Sequence, residues 1–265
     1  MDLASAMAAV IGRPRDDAPR ERFADLIAAP EPATAAFIRA QVDVARRRRH
    51  KPRPDRAVER SARSCGLPSP AHEERGLARV AALLDGTVPA WAQGLRYGRG
   101  FVETATVDGR WFEGHGSDLM ALAPIIDVTV HNPPSDAEAL FDSPAWTQVR
   151  SLRFSGSPPT IGTLRALSAS PYLGNLTVLC IDQAKLPEAA IHLVAAAAGL
   201  RSLAYVRADG NQFPDVNPSQ DEQDGAVYGE VPSAFAATLA LKHGDRRWLK
   251  GGLPPALDWH AEMFP

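Results

Sequence analysis

The chain has 265 residues, an apolar share of 45% and a formal net charge of −2, the profile of a globular protein with enough apolar material for a substantial core. It holds no run of about 18 apolar residues, which excludes a conventional membrane-spanning helix, and its start lacks a basic region ahead of an apolar core, so it does not read as a secretory leader. Two distant cysteines, Cys65 and Cys180, show no metal-ligand spacing and fit a reducing compartment; the expectation is a cytoplasmic protein with no membrane partner.

The small net charge conceals a split. Residues 1–100 carry 18 Lys and Arg against 12 Asp and Glu, which by difference from the totals of 29 and 31 leaves 11 against 19 for the rest. A basic front and an acidic back either hold two parts of one protein together or meet different partners.

In chain order, residues 2–11 and 18–29 read as helices. Asp17 is placed to cap the second, with Pro19 in its first turn, where a missing N–H costs little. Phe23, Leu26 and Ile27 form its apolar face. A third helix follows, with Thr34 as cap and Phe37, Ala40 and Val44 on one stripe. The prolines of "HKPRPDR" end it. Residues 71–85 give a further amphipathic helix, so 1–100 is expected to be a helical N-terminal region.

From residue 101 the rhythm changes. Apolar residues recur at relative positions 1, 4 and 6: Val102, Ala105 and Val107; Ile125, Val128 and Val130; Val149, Leu152 and Phe154; Leu176, Leu179 and Ile181; Leu200, Leu203 and Tyr205. The starts lie 23, 24, 27 and 24 residues apart, within the span of leucine-rich repeats. Segments able to turn or coil separate the triplets, and two carry a shared Ser-Pro tag, at Ser143-Pro144 and Ser170-Pro171. One strand and one short helix cannot bury an apolar side alone, so such a block must be stacked on copies of itself and capped. The fold class expected is α/β, a short leucine-rich-repeat solenoid with a parallel sheet of about five repeats over 101–207. A polar, acidic loop is expected over 208–231. A C-terminal helical cap over 232–265 would use Phe235, Leu239 and Trp248 to cover the last repeat.

"DDAPRERFADLI" at 16–27 and "AAFIRAQVDVAR" at 35–46 resemble the bacterial repeat-companion domain, a helical module found beside leucine-rich repeats. Asp17, Arg20, Phe23, Ala24 and Asp25 carry the first half of the pattern, and Phe37, Ile38, Arg39 and Gln41 the second. Leu26 stands where an aromatic is common. "GRGFVE" at 98–103 and the Ser-Pro tags are similar to the repeat region that tends to follow this module. The resemblance implies an architecture and a scaffolding role, and transfers no catalytic residue. The repeats depart from the best-known pattern at position 9, where Arg110, Pro133, Ser157, Ala184 and Ala208 stand instead of Asn.

If positions 1, 4 and 6 point inward, positions 3, 5 and 7 face the open side of the sheet. This proposes a protein-binding face that includes Asp108, Asp127, Thr129, His131, Ser151, Arg153, Ser155, Cys180, Asp182 and Ser202. Small, mixed-charge and poor in aromatics, it suits a modest protein interface. The basic patch Arg46, Arg47, Arg48 and Arg49 is the alternative, gripping nucleic-acid phosphates; the lack of interleaved aromatics weighs against it, and cations also favour a helix C-terminus. Arg20, Asp25 and Arg39 are expected to form a structural polar network. The seven histidines show no metal spacing, "GHGS" (114–117) and "GRG" (98–100) read as structural turns, and no nucleophile elbow occurs. The expectation is therefore a non-catalytic protein without cofactor or metal.

Overall fold

The computed structural model describes residues 2–49, 95–208, 210–214 and 234–250. The expected helix at 71–85, residues 209 and 215–231 of the expected acidic loop, Cys65 and everything after residue 250 lie outside the described residues. The fold is mixed α/β. Eight α-helices and six strands are described, and the strands follow chain order, β1-β2-β3-β4-β5-β6. No described helix is long and apolar enough to cross a membrane.

The chain forms two compact units, Met1–Thr106 with Ser117–Ile126, and Val107–Gly116 with Asp127–Pro265. In the first, helices α1 (Leu3–Gly12), α2 (Asp17–Ile27) and α3 (Pro32–Arg49) precede the strands β1 (Arg96–Gly98) and β2 (Phe101–Asp108). Asp2 caps α1 by accepting from the Ser5 N–H at 2.7 Å. The cap of α2 is Asp16, which accepts from Ala18 N–H, and not Asp17, which is buried inside the first turn. Thr34 likewise lies inside α3, where its hydroxyl donates to Glu31.

The buried stripe of α3 is Ala35, Ile38 and Val42, with Gln41 beside it, whereas Phe37 is half-buried and Ala40 exposed. Two apolar stripes fit this helix by spacing. The turn between β1 and β2 selects the inner one: Gly100 N–H donates to Gln41 Oε1, and a Cβ on Gly100 would lie 2.7 Å from the Ile38 Cα. Arg99 (φ 49°) and Gly100 (φ 86°) are both left-handed, the backbone of a type I′ hairpin, which needs glycine or a tolerant residue at these positions. On α2, Phe23, Ala24 and Ile27 are buried and Leu26 is 42% exposed, so the expected apolar face loses Leu26.

Arg20 is fully buried at the centre of this unit. Its Nη2 donates to Pro14 O at 2.6 Å and to Glu103 at 2.5 Å, and its Nη1 reaches the carbonyls of Gly98 and Arg99. The guanidinium also lies 5.1 Å from the centre of the Phe101 ring, a favourable stacking of cation on aromatic. Burial draws Arg20 down to about 10, Glu103 opposing the shift, so it stays charged at neutral pH. The expected Arg20–Asp25–Arg39 network is two separate features: Arg39 pairs with Asp25 at 2.7 Å on the surface, apart from the Arg20 hub.

The second unit supplies α4 (Gly109–Leu122, shared with the first), β3 (Asp127–His131), α5 (Glu138–Phe141), β4 (Ser151–Ser155), α6 (Ile161–Ala169), β5 (Val178–Cys180), α7 (Glu188–Ala196), β6 (Tyr205–Arg207) and α8 (Ala234–His243). Strands β3 to β6 pair in parallel. "GHGS" is not a turn but the interior of α4. Fully buried Trp146 is a large part of the core, its ring 4.8 Å from Phe112 and 5.2 Å from Phe141, its indole N–H donating to Leu140 O. The Ser-Pro tags have distinct duties. Ser143 caps the 3-10 turn Pro144–Gln148, while buried Ser170 donates to Phe141 O at 2.7 Å, joining two successive segments. The expected continuous C-terminal helix is broken after His243, because Gly244 turns left-handed (φ 82°) as a helix-ending glycine does; a 3-10 turn at Arg247–Lys250 then buries Trp248 and Leu249.

Arg20→Met should lower stability by about 3 kcal/mol, because Pro14, Gly98 and Glu103 lose a buried charged donor. Arg39→Met, at an exposed pair, should cost less than about 1 kcal/mol. Urea denaturation followed by circular dichroism measures both; equal losses would show that Arg20 is not the hub.

Candidate interaction face

The side chains that face away from the core are set by strand register. Asp127 pairs with Ser151 and Leu152 with Leu179, so β3 to β4 is offset by 24 residues and β4 to β5 by 27. Both offsets match the triplet spacing. The last does not. Val178 pairs with Tyr205 and Leu179 with Val206, an offset of 27 rather than 24. The inward residues of the final strand are therefore Leu203, Val206 and Ala208, all buried, and Tyr205 turns to the opposite face. The physical reason is at the next turn. With this register Asn211 falls at position 9, where its side-chain amide donates to Ile181 O and Ala208 O and its carbonyl accepts from Leu186 N–H. Three backbone groups of adjacent segments thus find partners in one side chain, which a slip of three residues would forfeit.

Position 4 is filled by Val128, Leu152, Leu179 and Val206, each wholly buried. On the opposite face, position 3 reads Asp127, Ser151, Val178 and Tyr205, and position 5 reads Thr129, Arg153, Cys180 and Arg207. Neighbours in a row are separated by the strand spacing of about 4.8 Å. Two ion pairs cross these rows: Arg153 to Asp127 at 3.3 Å and Arg207 to Asp182 at 3.0 Å. Asp127 and Ser151 are 2% and 0% exposed, Arg153 and Asp182 are half-buried, and Arg207 is the most open. Ser151 Oγ has no hydrogen-bond partner among the described residues.

The structure thus brings Asp127, Ser151, Arg153, Cys180 and Asp182 together with Thr129 alongside. His131 and Ser155 form a second pair at the strand ends, Nδ1 to Oγ at 3.2 Å. Asp108 is engaged elsewhere: its carboxylate accepts from the N–H groups of Arg110 and Trp111 and caps α4. Ser202 lies in the turn before β6, outside the rows. Arg207 and Tyr205 belong to the face and were missed by the triplet alignment; repeating the 27-residue interval would have placed both.

Cys180 sits between Arg153 and Arg207 in its row but is 7% exposed, packed with Val178 and Tyr205. Burial pushes its thiol up to about 12, the two arginines opposing the shift and Asp182 and Asp127 adding to it. It is therefore a poor nucleophile at neutral pH. Among the described residues no group of three or more His, Cys, Asp or Glu is arranged to hold a metal ion.

Of the basic patch, Arg46 is held within its own unit, its Nη1 2.7 Å from Glu21 and its Nε 3.4 Å from Asp17. The hydrogen bond to Glu21 raises its proton affinity. The side chains of Arg47, Arg48 and Arg49 lie outside the described residues. No protein-family model, curated protein or solved structure matches this chain.

Cys180 should react with iodoacetamide about a thousandfold more slowly in the folded protein at mildly alkaline pH than after unfolding, as expected for a thiol moved from 9.0 to about 12. Peptide mass spectrometry separates it from Cys65. Equal rates would show an exposed, reactive thiol.

Proposed function

We propose that this chain is a short leucine-rich-repeat solenoid with a helical repeat-companion cap, a non-catalytic module that binds a partner protein through the open face of β3 to β6. The observation that carries this reading is the register itself. Parallel pairing at near-constant intervals repeats the same side-chain positions along the sheet, so Thr129, Arg153, Cys180 and Arg207 form a row on a rigid support. Rigid display lowers the ordering cost of binding, which is how a small-residue face gains affinity without large anchors.

The chemistry of the face supports display over catalysis. Its thiol is buried and protonated, and its charges are compensated in pairs. A catalytic site needs a group poised to give or take a proton near the operating pH. The nucleic-acid alternative is weakened by Arg46, whose guanidinium is already matched by Glu21 and Asp17; phosphate binding there would have to break these pairs before releasing counterions.

A photo-crosslinking residue placed in turn at Thr129, at Arg207 and at each of Arg47 to Arg49 in the full chain, expressed in its native host, tests the proposal. A discrete, nuclease-resistant protein adduct at Thr129 and at Arg207, absent from a control at Arg22, is the expected result. Adducts formed only at Arg47 to Arg49, or removed by nuclease, would overturn it in favour of nucleic-acid binding.

A further inference from the structure

The pairing of α8 with α7 holds a feature that the repeat face does not use. His192 Nδ1 lies 2.7 Å from His243 Nε2, with the rings 5.0 Å apart, and His192 Nε2 lies 3.2 Å from Glu188 one turn earlier on α7. Glu188, His192 and His243 thus form a continuous chain of hydrogen bonds from one helix to the next. Each link needs a donor and an acceptor. A neutral imidazole has one of each, and a protonated one has only donors.

Counting protons shows what this chain tolerates. One proton on His192 is accommodated, since both its N–H groups then donate, one to the Glu188 carboxylate and one to a neutral His243. A second proton on His243 leaves two donors facing each other at hydrogen-bond distance, and the link between the helices is lost. The surroundings make the second proton costly. Lys242 and Arg246 adjoin His243 on its own segment, Arg246 donating from Nε to Ala195 O at the end of α7, and the following 3-10 turn begins with Arg247. Facing it from α7 are His192 and, one step beyond, Glu188; Asp245 occupies the intervening turn. Two imidazoles and one carboxylate amid these cations do not make a metal centre.

We infer that Glu188, His192 and His243 form a pH-sensitive latch that holds the C-terminal helix against α7 at neutral pH and releases it on acidification. What the latch holds down is apolar. Leu239 on α8 is 0% exposed, and Trp248 and Leu249 in the next turn are 3% and 2% exposed, so release uncovers an apolar patch beside β6. The sign follows from His243, whose proton affinity lies below its ordinary 6.5 because of burial first, then His192, Lys242 and Arg246. The released segment binds more protons than the docked one, so docking weakens as pH falls below 6.5 towards the lowered value and is fully present above it.

Hydrogen–deuterium exchange of the full chain, read by mass spectrometry at about pH 7.5 and about pH 5 and corrected for intrinsic rates, tests the latch. Protection of residues 234–249 should fall severalfold at the lower pH, while peptides from α2 keep theirs. His243→Gln, which bonds without titrating, should keep the segment protected at both values. Unchanged protection in the native chain, or a His243→Gln protein that still opens, would each overturn the proposal.

Discussion

A strand buried on one side fixes the register of every strand laid beside it. In a parallel pair, a shift by one residue would send the whole apolar set to the open face, and a shift by an even number would still misplace the turns. Strands β3 to β6 meet this constraint at position 4, where Val128, Leu152, Leu179 and Val206 are all fully buried. Everything else in that unit follows from the alignment. The connecting segments are free to differ in length and helix content because they need only return the chain to the same edge. They range from a four-residue helix plus a 3-10 turn after β3 to a nine-residue helix after β5. The turn asparagines do the trimming: Asn132, left-handed at φ 48°, accepts from the N–H and hydroxyl of Ser157, and Asn175 donates to Thr147 O.

The helical unit is organised by a different principle. Its apolar core, from Val10 through Phe23 and Ile38 to Phe101, surrounds a charged group rather than excluding it. Arg20 survives there because the guanidinium has a fork of donors and the chain supplies acceptors around it: Pro14, Gly98, Arg99 and Glu103. Three of those acceptors are backbone carbonyls, and two of them, Gly98 and Arg99, are positioned by the hairpin turn. A lysine would bring one point charge and no fork. The hub therefore ties residues more than 80 positions apart in sequence, as in Arg20 to Glu103, and specifies the turn as much as it stabilises it.

The sequence made the inward pattern of β3 to β5 legible because period-two burial and a recurring interval are both local signals. It made the Arg20, Gln41 and Gly100 positions conspicuous through resemblance, though not their mutual contacts. Three errors share one cause. Spacing alone puts Tyr205 inward, Phe37 and Ala40 on the buried stripe and Asp17 at a cap, each because an apolar or acidic residue stands at an acceptable interval. Spacing admits two stripes on α3 and two alignments of the last strand. Only a long-range partner chooses between them: Gln41 meeting Gly100 in one case, Asn211 meeting Ile181 and Leu186 in the other. Asp17 is drawn inward by Arg99 and Arg46, neither of which is close in sequence. On the face, alternation identified Asp127, Ser151 and Cys180, but alternation cannot report burial, and all three are less than 8% exposed.

Under the proposed function, that burial shapes what the face can recognise. Asp127 with Arg153 and Asp182 with Arg207 compensate each other, so a charged partner gains little from simple attraction and must instead replace an existing pair. Removing one member of a buried pair costs more than forming the pair returns, so a mismatched partner is penalised more than a matched one is rewarded. Arg207, the most open of these groups, is then the one able to exchange its bond at low cost, while Asp127 stays committed to Arg153. Discrimination on such a face would rest on fit to the small side chains between the charges, Thr129 above all, with the ion pairs acting as fixed walls.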